Sequence, residues 1–307
     1  MAADATSTTP EGPPRRGALR ASSALAWRRP RGKAIGQLGL PLAAFLFFYV
    51  AALAALLASA FWSQDELTGE IRHEWGLDSF RVLWEDPTYR TIVLRTVGIA
   101  SAVTLTCIVL AFPYALFLVR VASPRVRVLL LVATVIPLWV SYLVRVYSWR
   151  LILNPEGALN WALTGLGLPG QNILYTNWAM WLVYSYIWLP FMVLPIYAAL
   201  ERVPGSYLEA SADLGAKSLT TLRRVVFPLA VPGIAAGSIF TFSLTLGDYI
   251  APGLVGGPGS QLIGNVVFAN VGIANNVPFA AAFATVPLAI MAVYLLVMRR
   301  LGAFENL

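Results

Sequence analysis

The chain has 307 residues, 58% hydrophobic and 12% charged, with a formal net charge of +7 and a mean hydropathy of +0.69. Soluble domains carry about 25% charged residues, so this composition belongs in a bilayer. One cysteine (Cys107, within an apolar run) and one histidine (His73) exclude a disulfide framework, a cysteine-rich metal site and a His-based catalytic or metal cluster.

From the N-terminus, Arg15, Arg16, Arg20, Arg28, Arg29, Arg31 and Lys33 make residues 1–34 a basic arm, rich in Pro and Ala and expected to be disordered. Six apolar segments then meet the requirement of roughly 20 residues for a transmembrane helix. They are Leu38–Trp62, Thr96–Val119, Val128–Tyr147, Trp178–Leu200, Ala230–Ile250 and Phe279–Met298. The first ends in "ASA" at Ala58–Ala60, like a signal-peptide cleavage site, but its apolar run is too long for a signal core and reads as an uncleaved span.

The connections orient the spans. The first is acidic (Asp65, Glu66, Glu70, Glu74, Asp78, Glu85, Asp86), and Gly253–Val277 has no charge. The second carries Arg120, Arg125 and Arg127, and Arg299 and Arg300 follow the last span. Lys and Arg concentrate on the cytoplasmic side, so both termini are expected inside and the positive charge reports topology, not nucleic-acid binding. The expected organisation is the arm at 1–34, a six-helix domain at 35–303 with a cytoplasmic loop at 201–229, and a tail at 304–307.

Two nucleotide-like patterns fail on context. "GLGLPG" at Gly165–Gly170 falls in a loop with no preceding strand, and "GAKS" at Gly215–Ser218 lacks the glycine spacing of a phosphate loop. More informative is "SYLEASADLGAKSLTTLRRVVFPLAVPGI", Ser206 to Ile234. Ser206 and Glu209 read as a capping box that starts a helix near Tyr207. Gly215 stops it, Ser218 caps a second short helix, and Pro228 ends that one. Small residues at Ala210, Ser211 and Ala212 leave a face that a partner can approach closely.

The order Glu209-Ala210-Ser211, three residues, Gly215, nine residues, Val225-Val226-Phe227-Pro228 resembles the EAA signature of permease subunits of binding-protein-dependent ABC importers. Every spacing agrees. Ser211, Val225 and Phe227 are mild departures from Ala, Ile and Leu. The resemblance implies an all-α integral membrane protein with a six-helix MetI-like core and both termini inside, resident in a bacterial cytoplasmic membrane. It also implies that the chain is not an enzyme and binds no cofactor, ATP being hydrolysed by a partner ATPase dimer. A second permease subunit, often a different chain, and an external substrate-binding protein complete such an importer. Glu209 carries over as the acidic contact with the ATPase, Ala210 and Ser211 as the close-packing face, and Gly215 as the orienting turn. Asp213 and Pro228 complete the coupling set.

Within the family, "PLWVSYLVRVYSW", "WLPFMVLPIYAALERVP" and "FSLTLGDYIAPGLVGG" resemble spermidine/putrescine-type permeases, while permeases for iron(III), 2-aminoethylphosphonate, sulfate or molybdate share parts of the set. Asp248 is the only acidic residue in the apolar runs, and such a carboxylate faces a bundle interior or wet cavity. It reads either as a translocation-path contact for an ammonium group, assisted by Tyr249, or as a structural partner of Arg95 or Arg145. Trp178, Trp181, Tyr184 and Trp188 share one helical face; Trp178 and Trp181 suit an interfacial belt, and Trp188 a deeper cation–π contact. Gly233 and Gly237 form G-x-x-x-G, suited to close contact within the chain or across a permease dimer. Pro113, Pro137, Pro190, Pro195 and Pro287 are expected to kink their spans. An ATPase-independent transporter or channel would have little use for the EAA spacing, and the spans hold no constellation for an intramembrane enzyme.

Overall fold

The computed structural model describes residues 30–65 and 68–300. The arm up to Arg29 and the tail from residue 301, with the expectations of disorder and a cytoplasmic end made for them, lie outside the described residues. Residues 30–34, expected to close the disordered arm, are helical instead. The chain divides into two compact units, Met1–Leu56 and Leu57–Leu307. In the first, α1 (Pro30–Phe45) passes through a π-helical turn, Leu46–Val50, into α2 (Ala51–Ser59). Ala60, the last residue of the cleavage-like "ASA", is fully buried against Ala281 and Ala282.

In the second unit, a short hairpin of β1 (Ser63–Gln64) and β2 (Ile71–Arg72) carries an Arg72–Asp65 ion pair at 2.5 Å. Next come α3 (Asp78–Glu85) and the long α4 (Pro87–Arg120). Asp86 caps α4 by accepting from the Thr88 N–H at 2.7 Å, which holds its carboxyl below the usual carboxylate range. After α4 follow α5 (Pro124–Trp139), α6 (Tyr142–Leu153), α7 (Ala158–Gly165), α8 (Asn177–Glu201), α9 (Gly205–Asp213) and α10 (Ser218–Thr221). A π turn at Leu222–Val226 leads into α11 (Phe227–Gly247). A second π turn (Pro252–Gly256), α12 (Ile263–Gly272) and α13 (Val277–Arg300) complete the chain.

Among the described residues, five helices are long and apolar enough to cross a membrane. The expected third span, Val128–Tyr147, is not continuous: α5 and the α6–α7 segment meet at a 96° bend. Val140 and Ser141 are extended there (ψ 136° and 138°). Pro137 in the last turn of α5 contributes no N–H to the ladder, and a short Val140 N–H to Pro137 carbonyl bond (3.2 Å) closes the helix. Pro113, Pro190, Pro195 and Pro287 lie inside helices that continue across them. Pro228 does not end a helix either, because the π turn just before it shifts the hydrogen-bond register and the chain runs helically from Ser218 to Gly247.

The uncharged segment 253–277 is packed structure. Ile263 and Val266 of α12 are buried with Ile92, Phe279 and Phe283. Its first free amide, Ile263 N–H, is satisfied by Thr96 Oγ1 at 3.1 Å.

The core is α4, α8 and α11 packed together. Between helices in lipid there is no water to expel, so close van der Waals fit decides association. Ala111 and Ala115 of α4, and Cys107 as a packing residue, are fully buried in the main core cluster with Met180, Ile187 and Met192 of α8. The G-x-x-x-G pair resolves in favour of contact within the chain. A Cβ on Gly233 would lie 2.5 Å from the Pro195 carbonyl, and one on Gly237 2.7 Å from Met192 Sδ.

The arginines after the second span do more than set topology. Arg127 donates to the Leu118 and Val119 carbonyls at the end of α4 (2.8 and 3.0 Å), and Arg120 to the Val203 carbonyl beyond α8 (3.0 Å). These are carbonyls without helical partners, at the negative end of a helix dipole.

Gly233→Ala and Gly237→Ala are each expected to lower stability by about 1–3 kcal/mol through overpacking. Gly98→Ala on α4, where an added Cβ meets nothing within 4 Å, is expected to leave it unchanged or raise it. Thermal unfolding of the three variants in detergent checks the contrast.

Candidate functional site

Two places bring the sequence-predicted residues together: the α9–α10 surface and the end of α11. In the first, α9 begins at Gly205, earlier than expected, with Pro204 as its N-cap and no side-chain cap. The expected capping box is therefore absent. Ser206 already has helical backbone, so its hydroxyl cannot bridge the first turn, and Glu209 is left exposed without a hydrogen bond or ion pair among the described residues. Ser218 is likewise not a cap; Lys217 holds that position.

Gly215 stops α9 as expected, at φ +73°. Its N–H reaches the Ala212 carbonyl at 2.8 Å and the Ala216 N–H reaches the Ser211 carbonyl at 3.1 Å, the paired bonds of a Schellman stop. An added Cβ at Gly215 would meet nothing within 4 Å, so the requirement for glycine within this chain is purely conformational.

The surface so built is open. Glu209, Ala210 and Asp213 are exposed; Leu214 is 88% and Leu219 62% exposed. An acidic residue, small residues and bare leucines on two short helices make a surface that another protein can cover. Pro228 lies exposed at the start of α11, behind this surface.

At the far end of α11, Asp248 is the C-cap residue and is buried. Its carboxylate accepts from the Tyr142 hydroxyl, from Ile250 N–H at 3.0 Å and from Ala251 N–H at 3.2 Å. No ion pair to Arg95 or Arg145 forms, contrary to the structural alternative: Arg95 donates to the Gln261 carbonyl at 3.3 Å, and the Arg145 guanidinium sits 5.9 Å over the Tyr142 ring. The Ile250 and Ala251 amides are free to bond Asp248 because a new helical stretch begins at Ile250, and the first amides of a helix have no partner within it. The break before α6 delivers Tyr142.

Trp188 lies between two tyrosines, stacked on Tyr142 at 5.6 Å and on Tyr184 at 6.3 Å. The Trp188 Nε1, the Tyr184 hydroxyl and two Arg145 nitrogens, Nε and Nη1, are buried without hydrogen-bond partners. Tyr249 does not join this group: its ring stacks on Phe268 at 4.6 Å. Nor do the four aromatics of α8 share one environment. Trp178 is exposed, whereas Trp181 donates to Thr106 Oγ1 at 3.0 Å, which makes it an interhelical tie and not a belt residue. Sequence reasoning missed Tyr142; a hydroxyl just past a proline-weakened helix end is its only signal.

The family model for the binding-protein-dependent transport system inner membrane component matches residues 108–304. That is well over half of the chain. The chain belongs to this family. The inner membrane ABC transporter permease protein YdcU of Escherichia coli K12 is 45% identical, across 96% of this chain and 97% of its own length. The spermidine/putrescine transport system permease protein PotB of the same organism is 34% identical, across 82% of this chain and 91% of its own. Two crystal structures share the fold at 19% and 18% identity. They are a bacterial ABC transporter importing alginate (TM-score 0.69) and an alginate ABC transporter in complex with a pentasaccharide-bound periplasmic protein (TM-score 0.73), each over 90% of this chain.

The permease is thus a multi-pass inner membrane transport subunit and not an enzyme. Its EAA-pattern residues fall on α9, on the Gly215 turn, and on the π turn and first residues of α11. Its buried carboxylate closes α11 at the other end.

Tyr142→Phe removes one of three hydrogen bonds to Asp248 and is expected to cost the permease about 1.5–3 kcal/mol, the range for bonds to charged groups. Asp248→Ala, which also strips the cap from Ile250 and Ala251, is expected to cost more than Asp248→Asn. Melting temperatures in detergent test the order.

Proposed function

We propose that this chain is the permease subunit of an ATP-driven polyamine importer, working by alternating access with no chemistry on its substrate. α9 and α10 dock on a cytoplasmic ATPase dimer. A second permease subunit, a different chain, completes the pathway, and an external binding protein delivers spermidine or putrescine. The chain itself binds no cofactor; ATP acts on the ATPase.

The observation that carries the polyamine reading is the buried Asp248 carboxylate beside the Tyr142–Trp188–Tyr184 stack. A carboxylate offers an ammonium group its countercharge and aromatic faces offer cation–π attraction, worth about 2 kcal/mol where water is excluded. Three hydrogen bonds already occupy Asp248, so a substrate ammonium engages it only when the Tyr142 hydroxyl gives way. The likeness to PotB supports the same class.

Arg145 favours a second reading. Nε and Nη1 are buried without an acceptor, and an unpaired charge inside a span costs about 2.5–3.5 kcal/mol on insertion scales. A substrate carrying an oxyanion as well as an ammonium, such as 2-aminoethylphosphonate, would supply one.

Uptake of labelled spermidine and putrescine is measured in a strain lacking this gene and any redundant polyamine importer, then in the complemented strain. Wild type is expected to restore uptake. Gly215→Val is expected to insert normally and restore none, because a left-handed backbone costs a β-branched residue at least about 1–2 kcal/mol. Unchanged polyamine uptake on deletion rejects the polyamine reading, and uptake of labelled 2-aminoethylphosphonate that follows the gene establishes the second. Full coupling in Gly215→Val rejects the role given to the loop.

A further inference from the structure

The α9–α10 loop carries a tie between its two arms. Ser211, where the chain departs from the alanine of the EAA pattern, places its hydroxyl 2.8 Å from the Thr221 hydroxyl. Ser211 lies on α9, and Thr221 closes α10 just before the π turn that runs into α11. No other side-chain hydrogen bond joins the two arms among the described residues. The other attachment is apolar: Leu208 and Leu222 pack against the main core cluster.

We infer that the Ser211–Thr221 hydroxyl pair is the positioning brace that makes α9, α10 and α11 move as one body when the ATPase pushes on α9. The inference rests on the proposed docking of this loop. The arms meet at an exposed turn, 214–217, held by backbone bonds alone. Apolar contacts such as those of Leu208 are non-directional and permit sliding. A hydrogen bond between two short side chains fixes both distance and angle. With the brace intact, a displacement of α9 is delivered to the helical run Ser218–Gly247. Without it, the turn absorbs part of that displacement. Ser211 acts through α11 and touches no substrate; it is a positioning residue.

The test uses the whole importer, purified from its own host through a tag on this permease and reconstituted in liposomes. Three quantities are read for each variant: ATPase retained per permease, rate of ATP hydrolysis, and putrescine taken up per ATP. Ser211→Ala and Thr221→Val are each expected to lose about fivefold or more in putrescine per ATP, the low end of coupling between sites. Thr221→Val, outside the residues assigned to the ATPase contact, is expected to retain the wild-type amount of ATPase. Ser211→Thr and Thr221→Ser keep the hydroxyls and are expected to match wild type. The double variant Ser211→Ala/Thr221→Val is expected to be no worse than either single, since one missing hydroxyl already leaves the other without a partner.

Single variants with an unchanged ratio, or losses that add in the double, overturn the brace. So does loss of retained ATPase in Thr221→Val, which would mark a role in docking or folding. If wild type retains ATPase but takes up no putrescine, the polyamine reading fails alone. The brace then predicts that both single variants, and neither conservative one, change the hydrolysis rate of the retained ATPase. A wild-type permease that retains no ATPase overturns docking and brace together.

Discussion

The contact on which this permease depends is the backbone approach of α11 to α8 at Gly233 and Gly237. Without hydrophobic expulsion of water to drive it, two helices in lipid hold together only as closely as their surfaces allow. Here the fit leaves no room for a methyl group: the Cβ positions of both glycines are already occupied by Pro195, Ala199 and Met192. The consequences reach both ends of α11. On one side the helix continues without interruption into the π turn and α10, and so into the exposed α9–α10 surface. On the other it stops at Asp248, beside residues of α8 and α6. A single rigid contact therefore sits between the surface a motor would push and the carboxylate a substrate would meet.

Much of this was legible in the sequence, and the part that was not has a physical cause. Hydropathy reports how much of a segment prefers lipid, and it located five spans, three of them to within a few residues. The helices over Pro87–Arg120 and Ser218–Gly247 begin well before the apolar runs at Thr96 and Ala230. Hydropathy carries no information on backbone direction, so the third span read as one run; Pro137, expected to kink it, marked the place but not the 96° turn of its axis. The same property hid the structure of segment 253–277, where absence of charge means burial as readily as exposure. The EAA pattern was legible because it consists of spacing, and spacing is what a sequence records. The loop's caps were misread because both helices start earlier than expected. Ser206 lies two residues past the N-cap Pro204 and Ser218 one past the N-cap Lys217, and a cap is lost when the boundary moves by one or two.

The site around Asp248 shows the other kind of limit. The carboxylate stood out as the one acidic group in the spans, and Trp188 as the deep aromatic. Their link is Tyr142, separated from Asp248 by 106 residues and delivered by the bend that hydropathy could not show. Arg145, weighed as an ion-pair partner for Asp248, instead lies over the Tyr142 ring. A salt bridge was one of the two readings the sequence left open for Asp248. Three hydrogen-bond donors without net charge satisfy the carboxylate in its place, and two of them are the first amides of the helical stretch that starts at Ile250.

That substitution changes what Asp248 is able to do. A carboxylate locked in a buried ion pair gives up its partner only at a cost of several kcal/mol, because the abandoned guanidinium is left uncompensated. A carboxylate held by a tyrosine hydroxyl and two amides exchanges one neutral donor for an arriving cation and leaves no bare charge behind. The Tyr142 hydroxyl needs only water or a polar substrate group in return, at a cost nearer to a single hydrogen bond. The bend before α6 puts that donor on a segment separate from α8 and α11, so Tyr142 can withdraw without disturbing the helix contact at Gly233 and Gly237. Rigidity where force would be transmitted, and a releasable neutral bond where the charge is held, are the two properties that a pump for small cations has to combine.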